Sequence, residues 1–196
     1  AIDAAVTAGV GRILYTSHQG AALDTPFGPG RDHAATEQLL ADSGVAWTSL
    51  RNGFYAHSLG WMTGDWRSTG RIVIPVDGPV SWTAREDAAE AAAVILASDG
   101  AHDGPVTLTA GAAPTFEDVA AMASGLSGRD VELVVVDPDE WLAAQVAAGQ
   151  PERAARFTLG FFEAAGRGFF ARVDPLLPTL LGRAPRTARD AMAATP

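Results

Sequence analysis

Cysteine is absent from this chain, and so is lysine: all 14 cationic residues are arginine. Without a thiol there is no disulfide, no thiolate metal site and no cysteine nucleophile. Without an amine side chain there is no phosphate-binding loop of the Gly-Lys-Ser/Thr type, no Schiff base and no catalytic Tyr-x-x-x-Lys pair. Positive charge is also scarce, 14 residues against 23 acidic ones, for a net charge of -9 without a basic cluster. That balance argues against nucleic acid as a partner. No apolar run approaches the roughly 18 to 20 residues of a membrane span, and the opening AIDAAVTAGVG has neither the charged nor the apolar region of a signal peptide. The expectation is a cytoplasmic protein with no membrane partner.

What is present suits a folded α/β protein. At 196 residues and 47% hydrophobic content, the chain can fill the core of one domain, or of a sheet with a small appended subdomain. Ile2 to Ala8 reads as a helix stopped by Gly9. An apolar strand, Arg12 to Tyr15, ends in Thr16-Ser17, and a Gly/Pro-rich loop then leads to a helix over Asp32 to Asp42. After the Ser43-Gly44 stop comes a second strand, Val45 to Leu50. This β-loop-α-β unit puts polar residues at a strand's carboxyl end, where open parallel sheets bind ligands.

Further on, Asn52 to Trp66 is a loop and amphipathic stretch, and Arg71 to Val76 a short β segment. Thr83 with Glu86 has capping-box spacing ahead of an Ala-rich helix to Ala97. Val106 to Thr109 reads as a strand, Thr115 caps a helix to about Ser124, and Asp130 to Val136 is another strand. Helices follow from Asp137, with Arg189 to Ala194 as a frayed tail. Strands alternating with helices predict a parallel sheet.

Four stretches carry a family resemblance: AGVGRILYTS; His33-x-x-Thr36-Glu37-x-x-Leu40 before Asp42-Ser43-Gly44; Thr48-x-Leu50-Arg51-Asn52-Gly53-Phe54-Tyr55; and Thr83-Ala84-Arg85-Glu86-Asp87-Ala88-Ala89. Together they resemble the NmrA-like atypical short-chain dehydrogenases, in the branch of type 2 NAD(P)H:quinone oxidoreductases and triphenylmethane reductases. The likeness implies a partial NAD(P)-binding Rossmann fold, a parallel sheet flanked by helices, with a small, mainly helical substrate subdomain. The division it implies is 1–110 for the cofactor part and 111–196 for the substrate side. In that family the pyrophosphate rests on a glycine-rich turn after the first strand. Here Gly9-Val10-Gly11 precedes a strand and Gly166-Arg167-Gly168 lies in a late helical region. The expectation is therefore a family member without roughly the first third of the domain.

Counting from Glu37, the usual lysine position is held by His33 and the usual tyrosine position by Pro29. The resemblance implies that His33 hydrogen-bonds the nicotinamide ribose or a substrate oxygen; the alternative is that it merely begins a helix. A metal held by His33 and Glu37 lacks further clustered ligands. Ser17 resembles the family's active-site serine, beside Thr16, although a Thr-Ser pair at a strand end is also ordinary turn chemistry. Asn52, Gly53, Phe54 and Tyr55 resemble the segment beside the nicotinamide, with Gly53 admitting the ligand and the aromatics walling off water, or else serving the core. Arg85 resembles an arginine at the cofactor mouth, or is a surface ion-pair partner, and Asp87 is structural. Trp61, Trp66 and Trp82 either line a pocket for a planar substrate or are buried, and His18 and His57 are secondary candidates.

The expected activity is NADPH-dependent reduction of a quinone or similar planar substrate by direct hydride transfer. Ser17, His33 or Tyr55 is then the hydrogen-bond donor, NAD an alternative cofactor, and flavin and metal are not implied. A homodimer stays open. The rivals are an NAD(P)-sensing regulator without turnover and a remnant unable to bind the cofactor.

Overall fold

The computed structural model describes residues 1–194. The first helix, α1 (Ile2–Thr7), ends in Gly9, whose φ of 69° lies in the left-handed region that glycine enters without strain. Strand β1 (Arg12–His18) then runs parallel to β2 (Ala46–Asn52), in register from Arg12 opposite Ala46 to His18 opposite Asn52. On the far side of β2 lies β4 (Gly104–Leu108), also parallel, giving the order β1-β2-β4.

Side chains alternate across these strands, so the two faces of the sheet differ in chemistry. Leu14, Leu50, Val106 and Leu108 face a cluster with Ala91 and Ile95 of α5 (Arg85–Leu96) and Leu177 of α9 (Leu176–Leu181). The intervening residues, Tyr15 and Ser17 on β1 and Ser49 and Arg51 on β2, reach polar side chains of α2 (Gly28–Asp42). One face is thus held by apolar burial and the other by hydrogen bonds.

α2 starts four residues ahead of the Asp32 expected from sequence. Gly28-Pro29-Gly30 is its first turn and not loop: proline there has a preset helical φ and lacks only an N–H that no helix would use. A Cβ at Gly30 would sit 2.7 Å from the Gly20 carbonyl oxygen, so the glycine lets the loop after β1 lie against the helix.

A second, larger core surrounds a two-stranded parallel sheet of β3 (Arg71–Ile74) and β5 (Glu132–Val135), with Ile72 and Ile74 fully buried. Around it pack α3 (Leu59–Met62), α4 (Trp66–Thr69), α6 (Phe116–Ser127), α7 (Pro138–Ala147) and α8 (Glu152–Gly166). On α8, Ala155, Leu159 and Phe162 recur at helical spacing on the buried side. Phe161 stacks on Phe170 at 5.3 Å and meets Phe54 at 4.4 Å, between ring centroids. β3 precedes residue 110 and β5 follows it, so this pairing joins the two portions of the chain that the sequence suggested.

Two local expectations are corrected. Thr83 forms no capping box: the N-cap of α5 is Ala84, and Thr83 Oγ1 instead donates to the Ser81 carbonyl and accepts from Ala110 N–H at 2.9 Å. Being fully buried, Thr83 spends its hydroxyl on interior backbone. The box forms at Thr115, reciprocally with Asp118. Nor is the tail frayed. α10 (Ala188–Ala194) buries Ala188 and Met192 in the larger core, and residues 195 and 196 lie outside the described residues.

Candidate active site

At the carboxyl end of β1, Thr16 is exposed while Ser17 is buried and donates to Glu37 Oε1 at 2.7 Å. The same carboxylate accepts from Ser49 Oγ at 2.7 Å and from Arg51 Nε at 3.0 and 3.1 Å, with Arg51 Nη2 closing a forked pair. Burial works against the ionised Glu37, but the hydrogen bonds from Arg51, Ser49 and Ser17 outweigh it and hold the carboxyl below its ordinary range. The four side chains weld β1, β2 and α2 together. Ser17 therefore spends its hydrogen inside the protein and offers a ligand only its oxygen lone pairs.

His33, one turn before Glu37, lies 2.7 Å from the Tyr15 hydroxyl through Nδ1. Burial lowers its pKa and outweighs the opposing charges of Glu37 and Asp32. Its ring stacks at 6.5 Å on His18, which is also packed against Phe27, Phe54 and Phe170. Burial first, and then the neighbouring His33, depress the pKa of His18 to about 3. His18 is thus neutral; its Nδ1 accepts from Gly20 N–H at 3.0 Å, which leaves the hydrogen on Nε2.

That Nε2 is buried and has no partner among the described residues, and Gln19 Oε1 and Asn52 Oδ1 share the condition. Their other polar ends are committed: Gln19 Nε2 donates to the Arg172 carbonyl, and Asn52 Nδ2 to the Tyr55 hydroxyl at 3.1 Å. His18 and Asn52 are register partners at the ends of β1 and β2. One donor and two acceptors thus lie uncommitted at this edge.

The segment after β2 is packed tightly against the chain itself. A Cβ at Gly53 would collide with Thr83 Oγ1 and lie 2.7 Å from the Ser81 carbonyl oxygen, so the glycine makes room for the 81–83 segment. Phe54 packs on the larger core. Tyr55 is half-buried, with the Arg85 guanidinium 5.5 Å from its ring centre. Arg85 also donates to His57, whose pKa is lowered by burial and by that positive neighbour.

The three tryptophans do not share a pocket. Trp61 borders a cavity of about 460 Å³ with Trp141, Trp66 one of about 300 Å³, and Trp82 a groove of about 880 Å³ with Pro114 and Met122. Among the described residues no three His, Cys, Asp or Glu side chains cluster in a way that could hold a metal ion, and no helix is long and apolar enough to cross a membrane. Sequence reasoning passed over Tyr15; its signal was the strand period, which sets it two residues before Ser17 on the face that meets α2.

Parallel strands flanked by helices, with polar groups gathered at the strands' carboxyl ends, define a Rossmann-type nucleotide-binding fold. No family model matches the chain. It is 32% identical over 196 residues to an NmrA-like family domain-containing oxidoreductase of Aspergillus flavus, covering 97% of this chain and 64% of that protein. It is 32% identical over 194 residues to quinone oxidoreductase 2 of Escherichia coli, covering 97% and 67%. The crystal structure of an NADPH-dependent quinone oxidoreductase from E. coli complexed with NADPH superposes with a TM-score of 0.89 at 30% identity, over 98% of this chain and 68% of that one. The chain belongs to the NmrA-like atypical short-chain dehydrogenase/reductase family. It spans about two thirds of the length of the relatives it matches.

Proposed function

We propose that this protein is an NAD(P)H-dependent oxidoreductase that reduces a quinone or a similarly planar, electron-poor molecule. The observation that carries the reading is the group of polar side chains that the parallel strands β1 and β2 and helix α2 bring together toward the strands' carboxyl ends: Ser17, His33, Asn52 and Tyr55. Support also comes from relatives named as oxidoreductases, one of them crystallised with NADPH. A bound dihydronicotinamide would supply the hydride.

On this reading Thr16, Ser17, Asn52 and Tyr55 border the nicotinamide, Gly53 and Phe54 hold the segment that carries Tyr55, and Arg85 covers the tyrosine ring from the mouth. His33 and Tyr55 are the hydrogen-bond donors, and Ser17 acts through its lone pairs. The lost Tyr/Lys pair fits a quinone, whose oxygens take up negative charge readily, with solvent as the final proton source. Residues 1–110 form the cofactor side and 111–196 the substrate side, joined through β3 and β5.

The test is calorimetric titration of the 196-residue chain with NADPH, followed by NADPH oxidation with a quinone panel. Expected are binding on the micromolar scale, about -8 kcal/mol, and quinone-dependent turnover. Binding without turnover on any quinone favours a nucleotide-sensing role. A folded sample that binds no NADPH overturns the proposal for this chain.

A further inference from the structure

The chain has neither lysine nor a tyrosine at the helical position that would pair with one: Pro29 and His33 stand on α2 where that pair would be. Yet a tyrosine hydroxyl is present beside His33, delivered from the strand: Tyr15 Oη lies 2.7 Å from His33 Nδ1. We propose that Tyr15 is a positioning residue that fixes His33 in the tautomer with its hydrogen on Nε2, making His33 a neutral donor to a ligand oxygen. The proposal rests on the oxidoreductase reading for the identity of that oxygen, and on geometry alone for the tautomer.

The direction of the Tyr15–His33 hydrogen bond follows from acidity. A phenol is a better donor than a neutral imidazole N–H, and an imidazole nitrogen a better acceptor than a phenol oxygen. The reverse arrangement would also leave the phenolic hydrogen without a partner, since Tyr15 Oη makes no other hydrogen bond among the described residues. Tyr15 therefore donates to Nδ1, and the imidazole hydrogen sits on Nε2. Nε2 in turn makes no hydrogen bond among the described residues, and it is not among the buried orphan atoms, so it keeps access to solvent or ligand.

The surroundings keep the pair in this state. Asp32 and Glu37 from α2 and His18 and Tyr15 from β1 face the imidazole. Of the two carboxylates, Glu37 is tied by Ser17, Ser49 and Arg51, so it is not free to take the Nδ1 position from Tyr15. His18 is neutral. An oxygen acceptor, either a ribose hydroxyl of the dinucleotide or the carbonyl of the substrate, is the ligand chemistry that matches a neutral N–H.

Long-range proton–nitrogen spectra of the full chain with labelled histidine read the tautomer directly. Expected is Nε2–H for His33 in the parent protein. In Tyr15→Phe, which removes one oxygen and keeps the ring, a mixture of tautomers and a higher His33 pKa are expected, because the bond that favours the neutral form is gone. Finding Nδ1–H in the parent, or an unchanged tautomer and pKa in a Tyr15→Phe protein whose amide spectrum is native, overturns the positioning role. Ligand additions then identify the oxygen. A shift of His33 Nε2 with NADP+ alone assigns a ribose hydroxyl, and a shift only after adding naphthoquinone assigns the substrate carbonyl. Binding visible elsewhere in the spectrum with His33 unmoved overturns the donor role while sparing the oxidoreductase reading. No binding of either molecule overturns both of those, and the tautomer result stands by itself.

Discussion

Arg183, near the end of the chain, donates from Nη2 to Oδ1 of the fully buried Asp87 at 2.9 Å. Arg186 adds a guanidinium contact to the same oxygen, and its backbone N–H donates to Oδ2 at 2.6 Å. A carboxylate at the start of α5 thus anchors the segment that carries α10. Asp87→Asn takes the counter-charge from Arg186 and one of two from Arg183, which keeps Glu90, and leaves a fully buried side chain with a weaker acceptor, so stability should fall. Denaturant unfolding measures the loss, and trypsin should cut sooner after Arg183, Arg186 and Arg189. An unchanged midpoint with unchanged cleavage would show that α10 docks through Ala188 and Met192 alone.

His18 gives the fold a pH dependence of definite sign. Its folded pKa of about 3 is far below the ordinary 6.5, chiefly through burial and then through His33. Between those values the unfolded chain takes up a proton that the native protein refuses. The stabilisation is complete above about pH 6.5 and falls by about 1.4 kcal/mol per unit as the pH drops toward 3. Glu37, depressed below its ordinary value, contributes in the same direction but only in the carboxylate range and below. Unfolding free energies of His18→Phe should therefore decline less steeply below pH 6.5 than those of the parent, the remaining slope coming from His33 and His57, whose pKa values are also lowered. Equal slopes in the two proteins would refute the assignment.

The strands and α2 were legible because their signals are local: an apolar run before Thr16-Ser17, the Ser43-Gly44 stop, and periodic residues between. Gly28-Pro29-Gly30 misled because its composition is that of a loop, whereas proline in a first turn and a glycine beneath a neighbouring carbonyl suit a helix. Ser17 was legible as a position but not as a state. The carboxylate that takes its hydrogen lies on α2, and the carboxylate's other partners, Ser49 and Arg51, on β2. Tyr15 matters only through a contact across two elements: the strand period sets it on the same face as Ser17 but does not name its partner on α2. The tail read as frayed because Arg189 to Ala194 carries one large apolar side chain, Met192; its order comes from burial of Ala188 and Met192 together with the hold of Asp87, far back in the sequence.

The Glu37–Arg51 pair should behave as a unit. Glu37→Gln keeps the shape but strands a partly buried guanidinium and weakens the acceptor shared by Ser17 and Ser49, for an expected cost of about 3 kcal/mol. Combining it with Arg51→Met removes the stranded charge. The double variant should be more stable than the sum of the two single losses predicts, by about 1 to 3 kcal/mol. A double-mutant cycle from chemical denaturation reads this coupling, and additive losses would mean that the pair contributes nothing beyond its separate packing.

Gly53→Ala tests whether the glycine serves the protein or the ligand. The added Cβ meets Thr83 Oγ1 and the Ser81 carbonyl, buried atoms without room to retreat, and Thr83 Oγ1 also holds Ala110 N–H. The 81–83 segment must move, breaking the bridge between Tyr55 and Thr83, and the expected loss is about 1 to 3 kcal/mol even with no ligand present. Tyr55 would shift with it, so NADPH affinity should fall together with stability. Thermal unfolding of the ligand-free variant separates the cases. A parent-like midpoint accompanied by weakened NADPH binding would mean that the missing side chain makes room for the cofactor after all, and that Thr83 yields to it.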